Sequence, residues 1–172
     1  GFIGSHLSKN LIDDGHSVVA IDDLSTGRME NLSAFSDDKN FQLVVESITN
    51  TSVMDRLVSE CDIIIHLAAA VGVELIVRSP VDTIETNVMG TENVLRTARR
   101  YRKKILVAST SEIYGKLTNV PFNEDDDSLI GATTHHRWAY ATSKALDEFL
   151  ALAYHKEMGL PVVIFRLFNT IG

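Results

Sequence analysis

A tyrosine and a lysine stand four residues apart in the stretch YATSK, at Tyr140 and Lys144. Positions i and i+4 lie on the same face of a helix, so a helix here brings the two side chains together. A free tyrosine has a pKa of about 10, and a neighbouring ammonium lowers it because it favours the phenolate. The spacing therefore predicts a base that takes a proton from an alcohol while hydride leaves the same carbon. An ordinary helix pair is the alternative for an isolated match.

Hydroxyl and carboxyl side chains gather in a second stretch, ASTSEIYG, which runs out of the apolar segment ILV. In a parallel sheet the residues at the carboxyl end of a strand face the ligand crevice. Thr110 and Ser111 are therefore candidates for binding a hydroxylated ligand. Glu112 adds a carboxylate that can move protons, and a solvated loop acid is its alternative interpretation.

Two glycines three residues apart, Gly1 and Gly4, precede an apolar helical stripe in GFIGSHL. Such glycines allow a tight turn and close approach of the backbone to a pyrophosphate, as in dinucleotide sites. An acidic residue about 20 residues further on binds the ribose hydroxyls there. Asp22 closes the run SVVAI, and Asp23 is an alternative. A carboxylate at this place repels a 2′-phosphate, which favours NAD, while Arg28 nearby leaves NADP open.

Short β-branched runs alternate with longer helical stretches along the chain, which predicts an α/β fold with a doubly wound parallel sheet of the Rossmann type. The predicted strands are Ser17–Ile21, Phe41–Val45, Asp62–His66, Ile105–Ser109 and Val162–Leu167. The predicted helices are Ile3–Asp14, Ser52–Ser59, Val81–Arg102 and Trp138–Met158. Because no strand precedes the glycine turn, we expect residues 1–172 to be one NAD-binding domain that is truncated at both ends.

Charge and cysteine content limit the classes of partner. The 172 residues carry a net charge of −7 and one cysteine, Cys61. The acidic balance argues against nucleic acid, which needs a basic face. A single cysteine excludes an intrachain disulfide and a cysteine-rich metal site, and it predicts a reducing, cytoplasmic location. No apolar run reaches the roughly 18 residues of a membrane span, so we expect no membrane partner. We also expect no metal.

The motifs taken together resemble a known family, the extended short-chain dehydrogenase/reductases that act on nucleotide sugars, or NAD-dependent epimerase/dehydratase family. The matching stretches are GFIGSHL, IDDLSTG, HLAA, NVMGTENVL, ASTSEIYG, YATSK and RLFNTIG. They occur in family order across essentially the whole chain. The resemblance implies an NAD-dependent enzyme whose substrate is a nucleotide sugar, UDP-linked by expectation.

The resemblance also implies roles for individual residues. Thr110 matches the residue that binds the sugar 4-hydroxyl, Tyr140 the base and Lys144 its partner, with Glu112 as a further catalytic group. Ser111 and Asn169 match substrate contacts. The positions that match the cofactor site are Gly1, Phe2, Ile3, Gly4, Asp22, Asp23, Ile48, Leu67, Ala68, Ala69, Tyr140 and Lys144. Ser47 stands where the family often has aspartate, which weakens the adenine contact beside Ile48.

The family's shared first step is hydride transfer from sugar C4 to NAD, which gives a 4-keto intermediate. The pattern Thr-Ser-Glu, with RWAYATSK and RLFNTIG, favours UDP-glucuronate decarboxylases. AAAVGVELIVRSP favours UDP-sugar 4-epimerases instead, so these two subtypes stay open. A GDP-mannose-type 4,6-dehydratase, or a module of the same fold that senses NAD without turnover, is the alternative. We expect the 172 residues alone to be inactive and the full-length protein to form a homodimer through 81–102 and 138–158.

Overall fold

The computed structural model describes residues 1–171, apart from the side chains of residues 73–75. The strands of this part are β1 (Val18–Asp22), β2 (Phe41–Val45), β3 (Ile63–His66), β4 (Lys104–Thr110) and β5 (Val162–Leu167). The helices are α1 (Phe2–Asp13), α2 (Thr51–Glu60), α3 (Val73–Arg78), α4 (Pro80–Ile84), α5 (Gly90–Arg100) and α6 (Trp138–Met158). A π-helical turn, Glu85–Met89, joins α4 to α5, and 3-10 turns occupy Met29–Leu32 and Ser111–Tyr114.

The strands are parallel and form two sheets. One sheet pairs β1 with β2, and the other has the order β3-β4-β5. Parallel strands joined through helices confirm the predicted doubly wound α/β fold of the Rossmann type. Asp22 ends β1 and Thr110 ends β4. Both lie at the carboxyl edge of their strands, which is where ligands bind in folds of this kind.

Two apolar clusters flank β1. Val18 packs against a small cluster that contains Phe35, whereas Ile21 packs against the main core. Residues three apart in a strand point to opposite faces, so each face of β1 is covered by its own layer. The buried members of the main core come from the helices as well as the strands: Ile48, Met54, Val58, Val94, Leu95, Ala98, Ile105, Val107, Ala151 and Leu160.

The bounds of β2, β5 and α6 are those predicted, and the other predicted strands and helices differ by at most one residue at each end, with one exception. The stretch predicted as one helix, Val81–Arg102, is divided into α4, the π turn and α5. A π turn adds a residue to the helical repeat, which apolar periodicity does not reveal. Helix α3 was not predicted from the sequence.

Helix α6 carries the YATSK stretch and leads into β5. It ends at Gly159, whose φ of 69° lies in the left-handed region that glycine adopts without a steric penalty. The Gly159 N–H donates to the carbonyl of His155 at 2.9 Å and so closes the helix. After this glycine termination the chain enters β5, which pairs with β4.

Candidate active site

The glycine turn and the acidic end of β1 lie next to each other. The nitrogen of Gly1 lies 3.0 Å from Asp22 Oδ2, and the Leu24 N–H donates to Asp22 Oδ1 at 2.8 Å. A carbon atom added at Gly27 would lie 2.8 Å from Asp22 Oδ1, so the chain folds tightly around this carboxylate. Asp23 instead accepts hydrogen bonds from the N–H and hydroxyl of Ser25. Of the two predicted aspartates, Asp22 is the one beside the glycine turn.

The segment after β3 closes the same edge from the other side. Gly4 faces Leu67, and a carbon added at Gly4 would lie 3.7 Å from Leu67 Cδ1, an ordinary contact. Ala68 packs against the main core. The Ala70 N–H donates to Asn87 Oδ1 at 2.7 Å. The predicted cofactor residues 67–69 are thus fixed in place by a side chain from the π turn.

Asn87 links this segment to the helix that carries the candidate base. It is fully buried, and its Nδ2 donates to Ser143 Oγ at 3.1 Å. The Ser143 hydroxyl in turn donates to the carbonyl of Tyr140 at 2.9 Å. Asn87 is therefore a structural hydrogen-bonding residue. The π turn thereby positions the backbone of α6 at Tyr140.

Thr110, Ser111 and Glu112 form the turn at the end of β4. The Glu112 N–H donates to Thr110 Oγ1 at 3.2 Å, so Thr110 caps the 3-10 turn that follows. Thr110 is buried, Ser111 is half-buried and Glu112 is exposed. The Thr110 side chain and the Glu112 charge both act on the pKa of Tyr140. The structure therefore brings the β4 turn and the Tyr140 phenol together, as the sequence predicted.

The pKa of Tyr140 contradicts the expectation drawn from its spacing to Lys144. Burial raises this pKa to about 12, the negative charges of Glu112 and Asp147 raise it too, and the Thr110 side chain opposes them. Burial is the largest of these causes, and the Lys144 ammonium is engaged elsewhere. Lys144 Nζ donates to Asp147 Oδ2 at 2.7 Å, and the two side chains are only 3% and 1% exposed. As held here, the Tyr140 phenol is protonated at neutral pH.

The Lys144–Asp147 pair was missed from the sequence. The available signal was an acidic residue three positions after Lys144 on a predicted helix, which lies on the same face. Burial raises the pKa of Asp147, and the Lys144 ammonium opposes this. Asp147 Oδ1 has no hydrogen-bond partner within residues 1–171.

His66 lies behind this pair. Its Nε2 shares a hydrogen bond of 2.9 Å with Thr91 Oγ1, inside the core. Burial and the nearby Lys144 charge lower the pKa of His66 to about 3, so the imidazole is neutral. His66 is therefore a buried histidine that bonds a core threonine and lies close to the Lys144 charge.

A second buried ion pair joins β5 to α6. Arg166 Nε and NH2 donate to the two carboxylate oxygens of Glu148 at 2.9 and 2.8 Å, and the guanidinium lies 4.9 Å from the centre of the Tyr114 ring. Sequence reasoning named Arg166 but not Glu148. Asn169, a predicted substrate contact, is exposed beyond β5. Ile48, a predicted cofactor contact, is buried in the main core. Both roles stay predictions.

A family model described as GDP-mannose 4,6 dehydratase matches residues 1–172. The chain belongs to the NAD-dependent epimerase/dehydratase family. Among the relatives of this family, a UDP-N-acetyl-alpha-D-glucosaminuronate decarboxylase of Bacillus cytotoxicus is 44% identical over 172 residues, which cover all of this chain and 52% of the relative. The resemblance inferred from the motifs is thereby confirmed.

Solved structures of the epimerase/dehydratase family share the fold. A UDP-N-acetylglucosamine 4-epimerase from Methanobrevibacter ruminantium M1, in complex with UDP-N-acetylmuramic acid, superposes with a TM-score of 0.90 at 31% identity and covers 100% of this chain and 53% of its own. The Thermus thermophilus UDP-glucose 4-epimerase, in complex with NAD, gives 0.83 at 29% identity, with 96% and 51% covered. The chain thus spans about half the length of these family members.

The described residues were also compared with what metal coordination and membrane insertion require. Residues 1–171, with the side chains of 73–75 excepted, contain no group of three or more histidine, cysteine, aspartate or glutamate side chains arranged to hold a metal ion. Over the same range, every helix is too short or too polar to cross a lipid bilayer.

Proposed function

We propose that the protein is an NAD-dependent enzyme that oxidises a UDP-linked sugar at C4, and that residues 1–172 are its cofactor-binding domain. The observation that carries this proposal is that two groups of candidate residues lie at the carboxyl edge of parallel strands. The glycine turn and Asp22 lie at the end of β1, and Thr110 and Glu112, which act on Tyr140 of α6, lie at the end of β4. A dinucleotide bound along this edge would place its reactive ring beside Tyr140. A module that only senses NAD has no use for a phenol at this position.

The residues at the β1 end fit NAD. Asp22 offers a carboxylate to the two ribose hydroxyls, and the start of α1 offers backbone N–H groups and the positive end of its dipole to the pyrophosphate. Leu67, Ala68 and Ala69 provide an apolar wall beside them. When bound, NAD supplies the acceptor for the C4 hydride together with a positive charge near the phenol.

Tyr140 and Thr110 then act on the sugar. Thr110 orients the 4-hydroxyl by hydrogen bonding, and Tyr140 accepts its proton as the C4 hydride leaves. Because the pKa of Tyr140 is raised to about 12, the phenol needs added positive charge before it can act as a base. Lys144 is the residue of this chain that can provide such charge, once it turns from Asp147.

The second half of the reaction favours decarboxylation. Oxidation at C4 makes a sugar with a C6 carboxylate a β-keto acid, which loses CO2 with its electrons held on the C4 oxygen. The resulting enolate needs a proton at C5. Glu112, in the turn after β4, is the carboxyl group that would donate this proton. Support comes from the relatives, since the Bacillus cytotoxicus decarboxylase and a Danio rerio UDP-glucuronic acid decarboxylase 1, 37% identical, both align with the whole chain.

A 4-epimerase is the second candidate. The segment AAAVGVELIVRSP favours it, and so does the superposition with the Methanobrevibacter ruminantium 4-epimerase. An epimerase uses the same C4 oxidation but returns hydride to the opposite face of the sugar. Product analysis separates the two candidates, since only decarboxylation releases CO2.

The test replaces the phenol in the full-length gene product that contains this chain. We expect Tyr140→Phe to lower C4 oxidation by about a hundred- to ten-thousandfold, because the proton acceptor is lost. The assay follows single-turnover NADH formation with UDP-glucuronate, UDP-N-acetylglucosaminuronate, UDP-glucose and UDP-N-acetylglucosamine. The uronates should also yield CO2.

Tyr154→Phe is the matched control. Tyr154 lies on the same helix but packs against the main core, so its variant should keep full C4 oxidation. If Tyr140→Phe oxidises each of the four sugars as fast as the Tyr154 variant does, the catalytic assignment fails. Epimers without CO2 release from any uronate would replace the decarboxylase by the epimerase.

We further propose that the full-length protein is a homodimer. Helix α6 exposes Leu146, Phe149 and Leu152 on one stripe, and Phe149 is 73% exposed. Val81 and Ile84 extend this apolar surface on the neighbouring α4. Two helices that present one apolar surface bury it well against a second copy of themselves. Leu150 and Tyr154, on the same helix, pack against the main core and lie outside this surface.

A further inference from the structure

We propose that Asp147 is a positioning residue that restrains Lys144 and thereby sets how readily Tyr140 ionises. The inference deepens the proposed function and rests on it. Lys144 and Asp147 lie on α6 beneath Tyr140, with the Nζ and Oδ2 atoms 2.7 Å apart. Asp147 does not touch the reacting groups of the proposed mechanism, so it acts on Tyr140 through its hold on Lys144 and through its own charge.

The first argument is the position of the ammonium. The described residues offer Lys144 one hydrogen bond, and Asp147 receives it. Both side chains are almost completely buried, so water does not screen the pair. To lower the pKa of Tyr140, Lys144 must therefore either leave the buried carboxylate of Asp147 or act on Tyr140 while still bonded to Asp147.

The second argument is the balance of charge at the phenol. Seen from Tyr140, the positive charge of Lys144 is opposed by the negative charge of Asp147 beside it. Asp147 is itself one of the groups that raise the pKa of Tyr140. Removing only the negative charge leaves a positive charge uncovered near the phenol, and positive charge favours the phenolate.

The third argument is that the second carboxylate oxygen is free to respond. Asp147 Oδ1 is buried and accepts no hydrogen bond from residues 1–171. The Thr91 side chain also lowers the pKa of this carboxyl group, but a buried oxygen without a hydrogen bond is still costly, so the pair is not the best arrangement for stability alone. Such a site fits a residue that exchanges its partner during the reaction.

Other charged groups face the pair and must be held constant. They come from each neighbouring element: His66 at the end of β3, Glu112 in the turn after β4, Glu148 on α6 and Arg166 on β5. His66 is neutral across the working range because its pKa is about 3. Arg166 and Glu148 form their own ion pair. Besides Asp147, Glu112 is the charged group whose negative charge raises the pKa of Tyr140.

The test is Asp147→Asn in the full-length gene product, which keeps an oxygen acceptor for Lys144 but removes the charge. We expect the pKa of Tyr140 to fall, so that its phenolate fraction at a given pH rises about tenfold, the low end for one nearby charge. Ultraviolet difference titration of tyrosinate between about pH 9 and 11 reads this directly, with the Tyr140→Phe protein subtracted. The acid limb of the pH–rate profile for UDP-glucuronate should move to lower pH in parallel.

Glu148→Gln is the matched control, because it breaks the other buried ion pair on α6. It should lower stability and leave the Tyr140 titration where it is. Asp147→Glu, which retains the charge, should also leave it in place. If D147N does not fold, as judged by circular dichroism, Asp147→Ser replaces it, since a small hydroxyl admits a water molecule beside Lys144.

The outcomes are distinct. An unchanged tyrosinate titration in the folded neutral variant overturns the proposal, whatever happens to activity. An equal shift in Glu148→Gln overturns it too, since the effect would then be general loosening of α6. If Tyr140→Phe keeps full C4 oxidation, the proposed function fails, but the tyrosinate titration of the Asp147 variants can still be measured. Failure of the proposed function and failure of this inference are therefore told apart.

Discussion

The ion pair between Arg166 and Glu148 makes a sharp prediction about stability and pH. Two charge-assisted hydrogen bonds, of 2.9 and 2.8 Å, join the side chains, which are 16% and 11% exposed. In Glu148→Gln the amide oxygen replaces one acceptor, but the amide NH2 meets a guanidinium donor and leaves it unpaired. A hydrogen bond to a charged group contributes roughly 1.5–3 kcal/mol, so we expect the free energy of unfolding to fall by about 2 kcal/mol at pH 7.

The pH dependence of this loss follows from the pKa of Glu148. Burial raises that pKa, but the hydrogen bonds from Arg166 outweigh burial and hold it below the ordinary value of about 4.3. A carboxyl whose pKa is lowered by folding stabilises the protein above its unfolded pKa and ceases to do so as pH falls through the folded value. The parent and the variant should therefore converge in stability below about pH 4.

Urea unfolding from pH 7 down to about pH 3 measures the difference, with equal m-values as the check that both proteins unfold alike. Lys9 and Asp13 form an exposed ion pair, so Asp13→Asn is a matched control that should cost less than about 1 kcal/mol. A loss in Glu148→Gln that is the same at each pH would refute the reasoning, because packing rather than charge would then be its source.

Two further predictions address the cofactor edge and the dimer. Gly27→Ala should weaken NAD binding severalfold in calorimetric titration, because the added carbon displaces the Asp22 carboxylate. Gly15→Ala is the control: open space surrounds Gly15, so this variant should bind NAD about as tightly as the parent, apart from any loss of stability. Equal NAD affinity in the Gly27 variant and the parent would count against Asp22 as the ribose ligand. Phe149→Glu should convert the proposed dimer to a monomer in analytical ultracentrifugation, because it buries a charge in an apolar interface, and a dimer that persists would place the interface elsewhere.

The sequence predicted the fold well because its signals are local. Apolar runs such as VVIF mark strands that are covered on both faces, and Gly159 ends α6 as a glycine at that place should. The division of the stretch 81–102 was not predictable. The π turn there is accompanied by the Asn87 side chain bonding the Ala70 N–H, a contact between segments distant in sequence.

The features of the candidate site also fall into those that local sequence signals predict and those that they do not. Spacing placed Tyr140 and Lys144 on one face of α6, and the structure has Thr110 and Asp22 at the strand ends where the sequence put them, while their roles stay predictions. What spacing cannot give is which of several partners on that face a charged group takes. Tyr140 lies four residues before Lys144, and Asp147 lies three residues after it. Because the site is buried, the ammonium pairs with the charged carboxylate of Asp147 and not with the neutral phenol of Tyr140.

This choice changes what the motif YATSK means in the present chain. A lysine that lowers the pKa of a tyrosine must present uncompensated positive charge, and here the charge is compensated within 2.7 Å. With its pKa raised to about 12, Tyr140 is protonated at neutral pH in the structure, and under the proposed function NAD and substrate would have to change this. Such a site would avoid carrying a buried phenolate when it has no alcohol to deprotonate, since an unpaired buried anion is costly. The base is therefore expected to form only when the hydride acceptor is also present, which couples proton removal to hydride transfer.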